Sequence, residues 1–168
     1  SLRRQRQMCI RDRNNYGPRQ FLEKLIPKVI ALAYNDKKIP VYGNGSNIRD
    51  WIFVNDHCEA VQLALEKGKS GESYNISANN EIDNLTVIKK ILELMNKSED
   101  LIEFVEDRPG HDLRYSMNSD KTIKNLDWKI KSDFESGLKT TIGWYLQNPE
   151  ILNDITKALE PTPWKNSN

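Results

Sequence analysis

The sequence predicts an α/β fold in which short strands and helices are mixed without a regular βαβ succession. Three observations lead there. Apolar residues recur at near-helical spacing in separate stretches: Leu25-Ile26-Val29-Ile30, Ala60-Val61-Leu63-Ala64, Val87-Ile88-Ile91-Leu92-Met95 and Leu138-Ile142-Trp144-Tyr145. Short runs of branched and aromatic residues stand between them, at 39–42, 48–54, 73–77 and 101–105. Clusters of Gly, Pro, Asn and Asp separate these runs and supply turn chemistry.

The first 13 residues differ from the rest. They hold five arginines against one aspartate, a net of +4, which leaves the remaining chain at about −3. A mildly acidic body argues against a nucleic-acid-binding protein. The segment has no usable periodicity and no Lys. It reads as a non-native leader rather than a basic arm, and natural sequence is expected from Asn14 onward.

From there each element has a local reason. Asn14-Asn15-Tyr16-Gly17-Pro18 is turn-forming. The first helix is expected from about Lys24 to Asp36, with Pro27 tolerated in its first turn. A strand at 39–42 begins with Ile39-Pro40, which suits an edge position. Gly43-Asn44-Gly45-Ser46-Asn47 is a loop before the strand at 48–54. Asn55 or Asp56 is the expected cap of a helix over 57–67, which Gly68 stops.

A strand at 73–77 and a polar loop at 78–83 follow. Asn84 is then the expected cap of a helix over 85–96. The strand at 101–105 feeds Asp107-Arg108-Pro109-Gly110-His111-Asp112-Leu113-Arg114-Tyr115, and 114–117 is a further extended piece. A short helix is expected over 119–126. Ser132-Asp133-Phe134-Glu135 reads as a capping box opening a helix to Leu146. A weaker helix starts at Pro149, and the tail after Pro161 is expected to fray.

Composition narrows the class. With 38% hydrophobic and 29% charged residues the chain is globular and not disordered. No apolar run approaches the roughly 18 residues of a membrane span. Cys9 and Cys58 are the only cysteines, without metal-like spacing, which fits a reducing cytoplasm. No secretory apolar segment is seen, and no metal cluster. No Gly-x-Gly-x-x-Gly turn follows a strand, and no Tyr-x-x-x-Lys sits on a helix in a catalytic context. No catalytic residue is therefore assigned.

The chemistry that remains is anion binding. The 107–115 stretch places two arginines and one of two histidines within seven residues, around a Pro-Gly break. Such a turn can present guanidinium and imidazole donors to a phosphate. Asn14-Asn15 with Lys24-Leu25, the stretch from Tyr42 to Arg49, and Asn84 are the other polar groups that interrupt packed elements. Taken singly, each has an ordinary structural explanation: turn, solvated charge, neighbouring ion pair of Arg49 and Asp50, or helix cap.

Together these stretches resemble one family. Asn-Asn-Tyr-Gly-Pro-x-x-Phe-x-Glu-Lys-Leu-Ile-Pro (14–27), Pro-Val-Tyr-Gly-Asn-Gly-Ser-Asn-Ile-Arg-Asp-Trp-Ile-Phe-Val-Asn-Asp-His (40–57), Gly-Glu-Ser-Tyr-Asn-Ile (71–76) and Asp-Arg-Pro-Gly-His-Asp-Leu-Arg-Tyr (107–115) are similar to the dTDP-glucose 4,6-dehydratases. These are extended short-chain dehydrogenases/reductases of the NAD-dependent epimerase/dehydratase group. The likeness runs from Asn14 to about Asn148. Plant-type UDP-glucose dehydratases tend to carry Arg-Ser-Tyr and Arg-Pro-Phe-Asn where this chain has Arg49-Asp50-Trp51 and Arg108-Pro109-Gly110-His111. Leu22, where the family usually has Pro, is a departure that touches no chemistry.

The resemblance implies an α/β C-terminal nucleotide-sugar-binding subdomain, over 14–148, with a few elements of an incomplete Rossmann sheet; 149–168 would be a C-terminal helix and tail. It implies dTDP-sugar contacts at Asn14, Lys24, Leu25, Pro40, Val41, Tyr42, Arg49, Asn84, Asp107, Arg108, Pro109, Gly110 and His111. Asn15 would touch the nicotinamide end of NAD. The family oxidises C4 with NAD, eliminates water across C5–C6 and returns the hydride to C6, in deoxysugar precursor synthesis. Its Tyr-x-x-x-Lys, its Thr-Asp-Glu set and its Gly-rich turn lie N-terminal to the Asn-Asn-Tyr-Gly-Pro motif. The expectation is a C-terminal fragment, inactive alone, of a cytoplasmic enzyme whose dimer contacts lie mostly in the other half, so dimerisation of this piece is doubtful. A related UDP-sugar dehydratase, decarboxylase or epimerase fragment, and a free-standing nucleotide-sugar binding module, are the competing readings.

Overall fold

The structure is a computed structural model and describes residues 9–11, 14–107 and 109–153. Arg108, and the tail expected to fray, lie outside the described residues.

Strand β4 (Ile48–Phe53) is the element on which the others are assembled, because it changes partners midway. Its second half pairs in parallel with β2 (Asn14–Tyr16), Asn14 opposite Trp51 and Tyr16 opposite Phe53. Its first half pairs antiparallel with β6 (Glu81–Asp83) on one side and in parallel with β8 (Arg114–Tyr115) on the other. Two further parallel pairs complete the strands: β3 (Ile39–Tyr42) with β7 (Ile102–Val105), and β1 (Cys9–Arg11) with β5 (Ser73–Asn75). The last pair lies partly in the stretch that the sequence reading left out of the fold: the backbone of 9–11 runs as a strand beside β5.

Side chains alternate across a strand, so β4 also divides the core. Trp51 and Phe53 enter a large apolar cluster, whereas Ile52 enters a smaller one. The large cluster is filled by α1 (Leu25–Tyr34), α3 (Asn84–Leu94), α5 (Phe134–Gln147) and Leu152 of α6 (Pro149–Asn153). The apolar stripes read from the sequence are the faces these helices bury. Leu22, the departure from the helix motif, is buried there too. The smaller cluster joins Ala60 and Ala64 of α2 (Val54–Lys67) to Tyr74, Ile76, Trp128 and Leu126, the last residue of α4 (Asp120–Leu126).

Tyr16 fixes β2 against α5. Its ring centroid lies 5.2 Å from that of Phe134 and 5.7 Å from that of Phe53, and its hydroxyl donates to the Phe134 carbonyl at 3.1 Å. Burial pushes the Tyr16 phenol up, with Asp133 and Asp56 adding to the effect. Gly137 makes this approach possible: a Cβ there would sit 2.4 Å from the Tyr16 hydroxyl and 3.0 Å from the Phe53 ring.

Several boundaries differ from expectation, two of them because the adjacent residue makes the better cap. α2 begins at Val54, with Phe53 at its N-cap and no side-chain cap. Asp56 is instead buried in the first turn, where its carboxylate accepts from the backbone N–H groups of Lys131 at 3.2 Å and Ser132 at 3.0 Å. α3 is capped by Asp83, which takes the Thr86 N–H at 2.8 Å; Asn84 is the first helical residue. The expected loop over 78–83 contains β6, because its residues can pair with Ile48–Asp50. At α5 the cap is Asp133, not Ser132; it accepts from the Ser136 N–H at 2.8 Å, and Glu135 pairs with Lys90 and Lys139.

α6 packs on the body, with Asn35 Nδ2 donating to the Leu152 carbonyl at 2.9 Å. Among the described residues no helix is long and apolar enough to cross a membrane, and no group of His, Cys, Asp and Glu could hold a metal.

Candidate functional site

The parallel pairing of β3 and β7 sets Tyr42 beside Val105, so the loops that follow both strands leave from the same end. The first, 43–47, is a tight structure. Gly43 and Gly45 adopt positive φ of 58° and 74°, and Asn44 Oδ1 accepts from the Ser46 N–H at 3.1 Å. A Cβ on Gly43 would meet Asp107 at 3.1–3.3 Å, so this loop lies directly against the start of the second, 107–113. Gly45 packs as closely on Leu85 and Val41 and its carbonyl accepts the Leu85 N–H at 3.1 Å. The Asn84 N–H donates to the Asn47 carbonyl at 3.1 Å. The start of α3 therefore seats against the same loop.

Arg49 joins β4 to this end. Its two terminal nitrogens donate to the carbonyls of Ile48 at 2.7 Å and Asp112 at 2.9 Å. It does not turn to Asp50, as a neighbouring ion pair would require. Asp50 points the other way, fully buried, and accepts from the Asn80 N–H at 3.1 Å and from the Ser77 hydroxyl. A guanidinium carries five N–H donors in a planar fork, and the two carbonyl bonds draw on two of them while fixing the plane.

Within the turn, His111 Nδ1 lies 2.7 Å from Asp107 Oδ1, and the imidazole is only 7% exposed while the Asp107 side chain is 44% exposed. Gly110 has φ of 70° with open space around it, so the turn needs its backbone freedom and not its small size. Beyond the turn, Arg114 makes a two-pronged pair with Glu81 at 2.9 Å for each bond, tying β8 to β6. That pairing holds the Glu81 carboxyl below the usual carboxylate range.

The structure thus brings together Tyr42, Arg49, Asn84, Asp107 and His111, with Pro40, Val41, Pro109 and Gly110 in the same strand and turn. Arg108 lies outside the described residues. Asn14 and Leu25 belong to the neighbouring β2 and α1, and Leu25 packs against the large core. Lys24 stands before α1 and pairs with Glu23 at 2.8 Å, both more than half exposed. No contact among the described residues links it to Arg49. Sequence reasoning passed over Asn47 and Asp112, whose side-chain-to-backbone bond spans 65 positions and leaves no local signal. Tyr34 and Lys38 have the Tyr-x-x-x-Lys spacing, but α1 ends at Tyr34 and Lys38 Nζ donates to the Asp100 carbonyl at 2.7 Å.

Asn15 sits in β2 with Oδ1 shielded from solvent, and its carbonyl accepts from Gln20 Nε2 at 2.7 Å. One strand residue can touch a dinucleotide but cannot cradle it, which takes the backbone N–H groups of a Gly-rich turn at a helix start. The residues present do not by themselves amount to an NAD site.

The family model described as GDP-mannose 4,6 dehydratase matches residues 5–141. The low-salt glycan biosynthesis protein Agl12 of Haloferax volcanii is 51% identical over 137 residues, covering 82% of this chain and 44% of that protein. The dTDP-glucose 4,6-dehydratase of Neisseria gonorrhoeae is 49% identical over 146 residues, covering 80% and 42%. The crystal structure of dTDP-glucose 4,6-dehydratase from Bacillus anthracis, solved in complex with NAD, superposes with a TM-score of 0.81 at 47% identity, over 85% of this chain and 45% of that one. The chain thus spans less than half the length of these relatives. The α/β fold expected from the sequence is the fold they share, and the resemblance of the four stretches is borne out at this level of identity. The chain belongs to the GDP-mannose 4,6 dehydratase family.

Proposed function

We propose that this chain is the C-terminal, nucleotide-sugar-binding part of an NAD-dependent dTDP-glucose 4,6-dehydratase. The observation that carries the reading is the convergence of Arg49, the 43–47 loop and the 107–113 turn on one end of β3, β4 and β7. A diphosphate needs two or more charge-assisted donors held in a fixed geometry, and Arg49, Arg108 and His111 are the residue types that supply them. Pro40 and Tyr42 offer an apolar wall for a flat base, with Val41, its side chain buried in the large core, presenting backbone only. Asn14, Lys24, Leu25 and Asn84 complete the sugar-nucleotide contacts. NAD supplies the hydride acceptor and donor of the reaction, and its main site lies in a part of the parent enzyme that this chain does not hold. These residues bind and orient the substrate; they move no proton and no hydride.

A chimera tests the reading. Residues 14–153 replace the matching part of the Neisseria gonorrhoeae dTDP-glucose 4,6-dehydratase, and keto-sugar formation is measured with dTDP-glucose and UDP-glucose. Turnover of dTDP-glucose at a rate well above that of UDP-glucose is expected. A folded chimera that binds NAD but prefers UDP-glucose, or turns over neither, would overturn the assignment.

A further inference from the structure

We infer that Asn47 is the positioning residue that holds the anion-binding turn against Arg49. The inference rests on the proposed nucleotide-sugar reading for its ligand, but not for its geometry. Asn47 is 5% exposed, which is unusual for a polar side chain in a loop of Gly, Asn and Ser. Its Nδ2 donates to the Asp112 carbonyl at 3.2 Å, the same oxygen that accepts from Arg49 at 2.9 Å. Its own carbonyl takes the Asn84 N–H, and the next residue, Ile48, donates its N–H to the Leu113 carbonyl at 2.8 Å. Three chain segments far apart in sequence meet at this residue: the end of the 43–47 loop, the start of α3 through the Asn47 carbonyl, and the turn after His111 through its side chain.

The exposed turn is held by polar bonds rather than by packing: Arg49 and Ile48 donate to the Asp112 and Leu113 carbonyls, and His111 meets Asp107. Pro109, Gly110, Asp112 and Leu113 are all exposed, so no buried apolar side chain anchors them. Two donors converging on one carbonyl, both of whose lone pairs can accept, set where that carbonyl points. Arg49 and the turn are thereby fixed relative to each other, which is what a site for a diphosphate requires. The Asn47 amide touches neither ligand nor reacting atoms; it acts through Asp112.

The test is Asn47→Asp, which keeps the shape of the side chain and removes the donor. Amide hydrogen exchange is followed by NMR in the full chain, and affinity for dTDP by calorimetry. Exchange at Ile48 and Tyr115 is expected to rise about tenfold, the upper range for one neutral hydrogen bond. The capped amides of Thr86 and Ser136 are expected to stay at their original rates, and dTDP to bind about tenfold more weakly. Unchanged exchange at Ile48 and Tyr115, or an equal rise at all four amides, would overturn the inference. So would a loosened turn with unaltered dTDP affinity. If Asn47→Asp does not fold, Asn47→Ser, whose hydroxyl is too short to reach Asp112, gives the same readouts. Failure of the original chain to bind dTDP would count against the proposed function and leave the exchange result to decide the role of Asn47.

Discussion

A terminal nitrogen of Arg49 lies 2.9 Å from the carbonyl oxygen of Asp112, joining residues 63 positions apart. The bond makes one guanidinium both a strut of the fold and a candidate ligand for phosphate. Arg49→Lys should separate the two roles. Lysine keeps the charge but cannot reach the carbonyls of Ile48 and Asp112 together, nor meet a phosphate with a planar fork. In the chimera, KM for dTDP-glucose is expected to rise by tenfold or more, roughly 1.4 kcal/mol or above. Steady-state kinetics with the folded variant would check this; an unchanged KM would remove Arg49 from the substrate site.

Asp56 predicts a loss of stability with no loss of ligand contacts. Its buried carboxylate takes two backbone N–H groups of the segment before α5. Asp56→Ala strands both donors and is expected to cost about 2–4 kcal/mol, by the price of unsatisfied buried groups. Urea denaturation of the two proteins measures it.

Gly137→Ala should also destabilise the chain. The added methyl would press on the Tyr16 hydroxyl and the Phe53 ring, and neither can withdraw without unpacking β2 from α5. Overpacking of this kind costs about 1–3 kcal/mol. Gly143→Ala is the control, since a Cβ there meets nothing within 4 Å; it is expected to hold or raise the melting temperature.

Stability should fall at both ends of the pH range, for opposite reasons. Glu72, Glu81, Asp133 and Glu135 all have carboxyls held below their ordinary range, by Lys121, Arg114, the Ser136 N–H and Lys139 respectively. A depressed folded pKa gives stability that is present above the unfolded value near 4 and is lost as pH falls through the folded one. Tyr145, by contrast, is pushed up to about 12 by burial. Its contribution is present below the unfolded value near 10 and is lost as pH rises towards 12. Melting curves from pH 2 to 12 are expected to show a plateau between about 5 and 10; a curve still rising below pH 4 would contradict the acid limb.

The 168-residue chain alone is expected to form no keto-sugar from dTDP-glucose with added NAD. Among the described residues no Gly-x-Gly-x-x-Gly turn follows a strand, and Lys38, the one lysine spaced for a tyrosine–lysine pair with Tyr34, is engaged with Asp100. Measurable product from the purified chain would refute the assignment of its residues to substrate binding only.

Much of the arrangement was legible in the sequence because local patterns carried it. The apolar stripes of α1, α3 and α5 recur every three or four residues, and the helices bury those stripes. The strands at 39–42 and 48–53 follow from branched and aromatic runs between turn residues. Capping was legible in kind but not in place. Asp83 and Asp133 cap where Asn84 and Ser132 were expected, because each run offers adjacent capping residues and only the docked helix axis selects one.

The motifs that resemble the dehydratases were readable for the same local reason: turns such as Gly-Asn-Gly-Ser-Asn and Arg-Pro-Gly-His demand particular residues. What those residues do to one another was not. Asp50 and Trp51 are both buried, on opposite faces of β4. Asp50 holds the Asn80 N–H, and Trp51 packs on Tyr16 while its indole N–H donates to Ile82. They bear on the site through packing and not by lying in it. The sequence by itself determined the fold class, the helical faces and the residue types available for an anion. Only the tertiary structure decided that β4 would change partners midway, that Arg49 would turn to Asp112 rather than Asp50, and that Asn47 would sit buried at their junction. Those choices depend on partners distant in sequence, 63 and 65 positions away for the bonds of Arg49 and Asn47 to Asp112, and a periodic pattern records a residue's neighbours along the chain, not its partners across the fold.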